Sequence, residues 1–250
     1  MILTNFLWNN AHVTSHTLLS PKVSYAQKEW VLHTLKDAGA NSINLYLLNQ
    51  GDYGGEIVCP YRNDKWFAPE LDLDRLAQWD DVFRCCIAMG LHPIFWLAAD
   101  DSPVIKDAWK NRKQDVANIY MYLAWRFDQY ALAWCIGLEC NEWANRELTE
   151  FYGSIVAASV QHPVGVHQTS GRWDYAKAPC FYFAMLQYGF GSKNHTAKAS
   201  DVASMTRKAI KELGKPVVAC EYSRYGDSKE ARAAGQAAIA AGAVGVCNGF

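Results

Sequence analysis

The chain has 250 residues, of which 50% are hydrophobic, and a formal net charge of −1 from 24 basic and 25 acidic side chains. This length and apolar content suit one α/β domain with a large core, predicted over residues 1–250. The balanced charge excludes the basic footprint of a nucleic-acid-binding protein and argues against an anionic membrane surface as partner. A neutral partner therefore fits at least as well as a charged one.

The N-terminal sequence lacks a basic stretch followed by a long apolar run, and nowhere do eighteen apolar residues follow one another without a charge. We expect neither a signal peptide nor a membrane span, which favours the cytoplasm, although a domain of a longer secreted protein would look the same. The eight cysteines lack CxxC spacing and lie mostly in apolar runs. They are predicted to be buried free thiols and not disulfides or zinc ligands.

Short β-branched and aromatic runs alternate along the chain with amphipathic stretches. Eight strands are predicted, at Ile2–Trp8, Ser42–Leu48, Pro93–Ala98, Ala133–Cys140, Val164–Gln168, Phe181–Tyr188, Val217–Tyr222 and Ala243–Asn248. Helices are predicted at 25–38, 71–89, 111–130, 145–161, 198–213 and 228–241. Several of them end at a glycine just before a strand, where a left-handed C-cap costs little. The strict alternation predicts a closed (β/α)₈ TIM barrel.

The predicted eighth strand ends close to Phe250, so the helix that normally follows it in this fold is missing. A partner protein, a second copy of the chain, a further C-terminal segment or the N-terminal stretch would have to cover that strand.

Active sites of α/β barrels lie at the carboxyl ends of the strands, so polar residues that follow each apolar run are candidates. In chain order these are Trp8, Asn9, Asn10, His12, Asn49, Asp52, Asp100, Asp101, Asn141, Glu142, His167, Gln168, Ser170, Gln187 and Tyr188. Glu221 ends the seventh run, in a buried strand where a carboxylate is costly unless it is hydrogen-bonded or functional.

Glycoside hydrolysis needs two carboxylates, one to donate a proton to the leaving oxygen and one to attack the anomeric carbon. Glu142 and Glu221 meet this requirement, because 79 residues, about three βα units, separate them and place them across the barrel mouth. Glu139 lies three residues before Glu142. Because side chains alternate along a strand, only one of these two should face the site, and we favour Glu142 over Glu139.

Two segments resemble the signature strands of the clan A glycoside hydrolases, namely WCIGLECNEW at 134–143 and KPVVACEY at 215–222. The resemblance implies a TIM barrel of the retaining type, in which Glu142 is the general acid/base, Asn141 binds the sugar 2-hydroxyl and Glu221 is the nucleophile. It also gives roles to His167 and Tyr188, since the clan often has a His or Tyr near the ends of strands five and six.

The chain departs from that clan at two places. Many members have an arginine on strand two near the nucleophile, whereas residues 42–48 contain none, and Asn44 or Tyr46 would have to substitute. On strand eight, where an aromatic platform for the sugar is common, the sequence has Cys247 and Asn248. The resemblance therefore does not carry over the substrate subsites.

The sequence thus predicts a retaining hydrolase that cleaves O-glycosidic bonds of an oligo- or polysaccharide through a glycosyl-enzyme intermediate, without a cofactor or metal. Further substrate-binding residues are expected among those at or near the strand ends, namely Trp8, Asn10, Asp100, Trp143 and Gln187. Two alternatives stay open. One is a carbohydrate-binding barrel that has lost its chemistry. The other is a metal-dependent hydrolase using His12, His16, His167 and a carboxylate. It is weaker, because residues 12–16 stand in a stretch expected to be non-helical, where the two histidine side chains need not converge.

Overall fold

The computed structural model of the protein describes residues 2–5, 11–49, 58–68, 70–99, 102–189, 195–224 and 228–248, and in residues 11–13 the backbone only. Within these residues, eight parallel strands form one sheet in the order β1-β8-β7-β6-β5-β4-β3-β2. The strands are β1 Leu3–Asn5, β2 Ser42–Tyr46, β3 His92–Trp96, β4 Ala133–Cys135, β5 Val164–Gln168, β6 Phe183–Gln187, β7 Val217–Glu221 and β8 Gly245–Cys247. This nearly closed sheet with helices between its strands confirms the predicted (β/α)₈ TIM barrel.

The helices that the structure describes lie between consecutive strands. They are α1 Ala11–Leu19, α2 Tyr25–Asp37, α3 Leu73–Ala88, α4 Pro103–Asn111, α5 Lys113–Phe127, α6 Cys140–Trp143, α7 Arg146–Ser159, α8 Ala199–Leu213 and α9 Lys229–Ala240. Polar caps start several of them: Ser24 forms a capping box with Gln27 at α2, and the Asn145 side chain accepts from the Leu148 N–H at α7. At the end of α8, Gly214 adopts the predicted left-handed conformation with φ 61°.

The two ends of the sheet are joined by Asn41, the residue before β2. Its N–H donates to the Thr4 carbonyl (2.9 Å), and its side-chain oxygen accepts from the Thr4 N–H (2.8 Å). Asn41 therefore connects β1 to β2, two strands that have no backbone ladder between them among the described residues.

Side chains on the strands alternate between two apolar clusters. On β7, Val218 and Cys220 belong to the cluster inside the barrel, whereas Val217 and Ala219 belong to the larger cluster between the sheet and the helices. This alternation fixes which residue positions face the barrel axis, and therefore which can reach the site at its mouth.

The eighth strand was expected to be covered by a partner protein, a second copy of the chain, a further C-terminal segment or the N-terminal stretch. All three residues of β8 are buried within the chain, β1 pairs with this strand, and α9 packs on it. Self-association over this strand stays a prediction.

Two sequence-based assignments were wrong, and one helix was missed. The stretch with His12 and His16 forms α1, although it was expected to be non-helical. The helix predicted at 111–130 is confirmed as α5, whereas α4, which precedes it at Pro103–Asn111, was not predicted. The fourth strand ends at Cys135, five residues early, because the chain then leaves the sheet and forms a short helix, α6. The last difference changes the candidate site.

All eight cysteines are free thiols, as predicted, and six of them are buried. Among the described residues, no helix has the length and apolar character needed to cross a membrane.

Candidate active site

Glu221 is the last residue of β7, at the carboxyl end of the barrel, and only 8% of its surface is exposed. Simple alternation would point it away from the barrel axis, because Ala219 faces the helices. The register with β6 shifts between Leu186 and Gln187, so that Gln187 pairs with Glu221 and Cys220 is left as the extra residue. A bulge of this kind re-aims the next side chain. The bulge brings the Glu221 carboxylate into contact with the side chain of Gln187. On β6, Gln187 lies two positions after Met185, and Met185 faces the barrel interior.

Glu139 lies in the turn between β4 and α6, with a left-handed backbone (φ 45°, ψ 41°) that is rare for a residue with a Cβ. Its N–H donates to Nδ1 of His167 on β5 at 3.1 Å. This contact ties the turn to the neighbouring strand. The side chain of Glu139 is half-buried.

Gln187 links the two carboxylates. Its amide nitrogen Nε2 donates to Oε1 of Glu139 at 2.5 Å and also to Oε2 of Glu221. An amide nitrogen has two hydrogens, so one Gln can serve both acceptors. We call Glu139, Gln187 and Glu221 the mouth triad, and it joins β4, β6 and β7 at one point of the rim.

His167 is the buried support of this arrangement. It lies inside the barrel with its ring 5.6 Å from that of Trp96, edge to face. Burial lowers the pKa of its imidazole to about 3, so the ring is neutral and Nδ1 is available as an acceptor. The acceptor at Nδ1 implies that the ring proton is on Nε2.

Asn141 and Glu142, the dipeptide favoured from the sequence, lie in α6, beyond the turn. The Asn141 amide donates to Thr169 Oγ1 (2.7 Å), and its oxygen accepts from the Thr169 N–H (2.8 Å). Glu142 is exposed and lines a surface groove with Lys110 and Lys113; the described lining of this groove does not include Glu221. The expectation that Glu139 and Glu142 share one strand is therefore wrong, because the strand ends before both.

Other predicted residues contribute to packing. Tyr188 is buried with its hydroxyl against Thr206 of α8 (2.8 Å), so the structure does not bring it to the mouth triad. Trp143 is buried, and its indole donates to the Leu138 carbonyl (3.0 Å). On β2, the arginine position of the clan has no cationic substitute, and the Asn44 oxygen accepts from the Trp96 indole (3.1 Å).

Several candidates lie outside the described residues. These are Trp8, Asn9, Asn10, Asp52, Asp100 and Asp101, together with the side chain of His12. Their predicted roles in substrate binding stay predictions. Among the residues that the structure does describe, no group of His, Cys, Asp and Glu has the arrangement of a metal site.

No protein-family model matches the chain, and no curated protein matches it by sequence. Solved structures do match its fold. A protein from Bacteroides vulgatus ATCC 8482 named as a candidate glycoside hydrolase has a TM-score of 0.70 and 14% identity over 98% of this chain. A glycoside hydrolase family 5 protein of the same organism has a TM-score of 0.64 and 15% identity over 91% of this chain. The endo-1,4-β-D-mannanase of Thermotoga petrophila RKU-1 has a TM-score of 0.64 and 14% identity over 99% of this chain.

The chain has the fold of these glycoside hydrolase barrels. The TIM-barrel fold implied by the resemblance of residues 134–143 and 215–222 is thereby confirmed. The chain spans 50% of the first of these proteins, 55% of the second and 88% of the third. Identities of this size speak for architecture, and function has to be argued from the site.

One feature of the sequence favours Glu139. Ala133 and Cys135 face the barrel interior, and Glu139 stands at the same even spacing from them, whereas Glu142 does not. The bridging position of Gln187 had no such signal, because it depends on a bulge between two strands that are distant in sequence.

Proposed function

We propose that the protein is a retaining glycoside hydrolase in which Glu139 and Glu221 are the two catalytic carboxylates. The observation that carries this proposal is the single amide nitrogen of Gln187, which contacts an oxygen of each. The three residues come from different strand ends of one barrel rim, where barrel enzymes assemble their catalytic groups.

The separation of the carboxylates favours the retaining mechanism. Two oxygens that hydrogen-bond to the same nitrogen lie no more than about 5 Å apart. Retaining enzymes place their carboxyl groups about 5 to 5.5 Å apart, whereas inverting enzymes need roughly 6.5 to 9.5 Å to hold a water molecule between one carboxylate and the sugar.

The different burial of Glu221 and Glu139 is the basis for assigning the nucleophile and the acid/base roles. Glu221 is buried at its strand end, and we assign it the attack on the anomeric carbon, which forms the glycosyl-enzyme bond. Glu139 is half-buried, open to solvent and held by His167; we assign it the proton that goes to the leaving oxygen as the glycosidic bond breaks. The Glu139 carboxylate then takes a proton from water, whose oxygen attacks the anomeric carbon and releases Glu221.

This assignment replaces Glu142 with Glu139 as acid/base and keeps Glu221 as nucleophile. Two carboxylates this close are not both ionised without cost, which suits a pair in which one group acts as an acid and the other as a nucleophile. The carbohydrate class fits the structural relatives, one of which is a mannanase solved with maltose and glycerol.

The test is covalent trapping with a panel of 2-deoxy-2-fluoro glycosides that carry activated leaving groups, read by mass spectrometry of the digested protein. We expect one glycosyl adduct on the peptide that contains Glu221, and none in the Glu221→Gln variant. The sugar that reacts names the substrate.

Two results would contradict the proposal. Turnover that inverts the anomeric configuration without an adduct would exclude the retaining mechanism. Tight binding of oligosaccharides without turnover of any glycoside would identify a carbohydrate-binding barrel instead.

A further inference from the structure

A surface groove of about 740 Å³ lies beside α6, and neither the mouth triad nor the fold requires it. We call it the rim groove. Its described lining includes Lys110, Lys113, Asn141, Glu142, Phe151 and Tyr175. Its volume is within the range of small-molecule sites, roughly 300 to 1,000 Å³.

The rim groove lies on the same side of the barrel as the mouth triad. Lys110 and Lys113 come from the segment between β3 and β4, Phe151 from the segment between β4 and β5, and Tyr175 from the segment between β5 and β6. Segments that follow the strands of a barrel start at its carboxyl end, where the active site lies.

The groove lies beside the turn that carries Glu139, because Asn141 and Glu142 of its lining belong to α6, which follows that turn. The N–H of Glu142 donates to the carbonyl of Glu139 at 2.9 Å, and Asn141 binds Thr169 next to the end of β5. A ligand in the groove therefore contacts α6 within three residues of Glu139. Glu139 is the group that we assign to the leaving oxygen, so a glycan that occupies the groove would approach the mouth triad from the leaving-group side.

The chemistry of the lining fits a neutral, hydroxyl-rich ligand. Lys110 and Lys113 are balanced by Glu142 and Glu147, and none of the four forms an ion pair with another described residue. Charged side chains of both signs supply donors and acceptors for hydroxyl groups. The ring of Phe151 is 43% exposed at this groove, and an exposed ring face can pack on the apolar face of a sugar.

The walls are held in place before any ligand binds. The Tyr175 hydroxyl donates to the Ala144 carbonyl (3.1 Å), and its N–H donates to Gln168 (2.8 Å). The turn that carries Tyr175 is fixed by Lys215, whose ammonium donates to the carbonyls of Ala176 and Ala178, each at 2.8 Å. A wall that is already ordered loses little conformational freedom on binding.

We propose that the rim groove is a saccharide subsite for the units of a neutral glycan on the leaving-group side of the cleaved bond, with Phe151 as the stacking platform and Glu142 as a hydroxyl acceptor. The protein then acts on internal bonds of a chain. The inference rests on the proposed function, because the groove can be assigned to the leaving-group side only if a glycosidic bond is cleaved at the mouth triad.

The test compares a short with a long substrate of the sugar that trapping identifies: an aryl glycoside and the corresponding hexasaccharide. For Phe151→Ala we expect kcat/KM on the hexasaccharide to fall about threefold to tenfold, mainly through KM, and by clearly less on the aryl glycoside. Phe151→Tyr keeps the ring and should restore the hexasaccharide value. Trp30→Ala removes another exposed aromatic side chain, from α2 on another part of the barrel, and should leave kcat/KM on both substrates unchanged.

The outcomes separate this inference from the proposed function. Equal losses on both substrates in Phe151→Ala, or no loss on either, would overturn the subsite. If the wild-type protein cleaves neither substrate, calorimetric titration with the hexasaccharide decides: weaker binding by Phe151→Ala supports the groove as a glycan site although the catalytic proposal fails, and unchanged binding overturns both.

Discussion

Glu139 and Glu142 lie three residues apart, Glu139 in the turn after β4 and Glu142 in α6, and their surroundings differ. At the mouth triad, Glu139 is half-buried and shares an amide donor with Glu221. At the rim groove, Glu142 is exposed and lies near two lysines. Glu139 is a catalytic candidate because a second carboxylate lies close to it. A short sequence motif such as Asn141-Glu142 does not ensure that proximity.

The difference arises from one backbone conformation. Glu139 adopts the left-handed region at the point where β4 has ended, and the four residues that follow wind into α6. The turn leaves the Glu139 side chain at the barrel mouth and carries Glu142 to the outer rim. His167 stabilises the turn by accepting the Glu139 N–H.

Substituting the carboxylates one at a time tests the difference between Glu139 and Glu142 most directly. We expect Glu139→Gln and Glu221→Gln each to lower kcat/KM by about 10²- to 10⁴-fold, because each removes a group that acts in the transition state. Glu142→Gln should cost less than about tenfold and serves as the matched control. Steady-state kinetics on an aryl glycoside measures all three variants.

The leaving group separates the two catalytic roles. A glycoside with a very acidic phenol as leaving group needs no proton, so Glu139→Gln should lose less activity on it than on a glycoside with a poor leaving group. Glu221→Gln should lose a similar factor on both glycosides, because the nucleophile is needed whatever the leaving group. A large loss in Glu142→Gln together with an active Glu139→Gln would restore the sequence-based assignment of Glu142.

The sequence predicted the barrel well, because the periods of strands and helices and the glycines at helix ends are local signals. It placed Glu221 at the correct strand end for the same reason. The sequence did not reveal the end of β4 at Cys135, since the apolar run continues through Leu138 with the composition of a strand. The bulge at Cys220 and the left-handed turn at Glu139 depend on contacts with β6 and β5, which no local pattern encodes.

Removing the Gln187 side chain that bridges Glu139 and Glu221 tests the mouth triad further, with a smaller expected loss of activity. Gln187→Met keeps the length of the side chain but removes the donor to both carboxylates, and we expect kcat/KM to fall roughly tenfold to hundredfold, within the range for one lost donor at an active site. Gln78→Met, on the exposed face of α3, should leave activity unchanged. A full-activity Gln187→Met variant would mean that the bridge has no part in catalysis.

The pH profile gives an independent reading of the same variant. A donor to a carboxylate favours its ionised form, so removing the donor raises the pKa of the carboxylate. The acidic limb of the profile, which follows ionisation of the nucleophile, should therefore move to higher pH in Gln187→Met. A limb that does not move would indicate that Gln187 only packs against the pair.

The smallest effect concerns His167, which supports the turn from inside the barrel. Burial lowers the pKa of its imidazole to about 3 in the folded protein, against an ordinary value near 6.5 in the unfolded chain. Between these values the unfolded state binds the proton and the folded state does not, so stability falls as the pH drops below 6.5. At pH 5.5 the loss due to this residue is about 1.4 kcal/mol, a tenfold change in the unfolding equilibrium.

Urea unfolding of wild type and His167→Asn at pH 7.5 and 5.5 measures this loss. Asn offers an oxygen near the position of Nδ1, so it keeps an acceptor for the Glu139 N–H and removes the titrating group. The difference in unfolding free energy between the two pH values should shrink by about 1.4 kcal/mol in the variant. His33→Asn, at an exposed position of α2, should retain the wild-type difference. Equal pH differences in all three proteins would show that folding does not lower the pKa of His167, so that at pH 5.5 the ring would be protonated and could not accept from the Glu139 N–H.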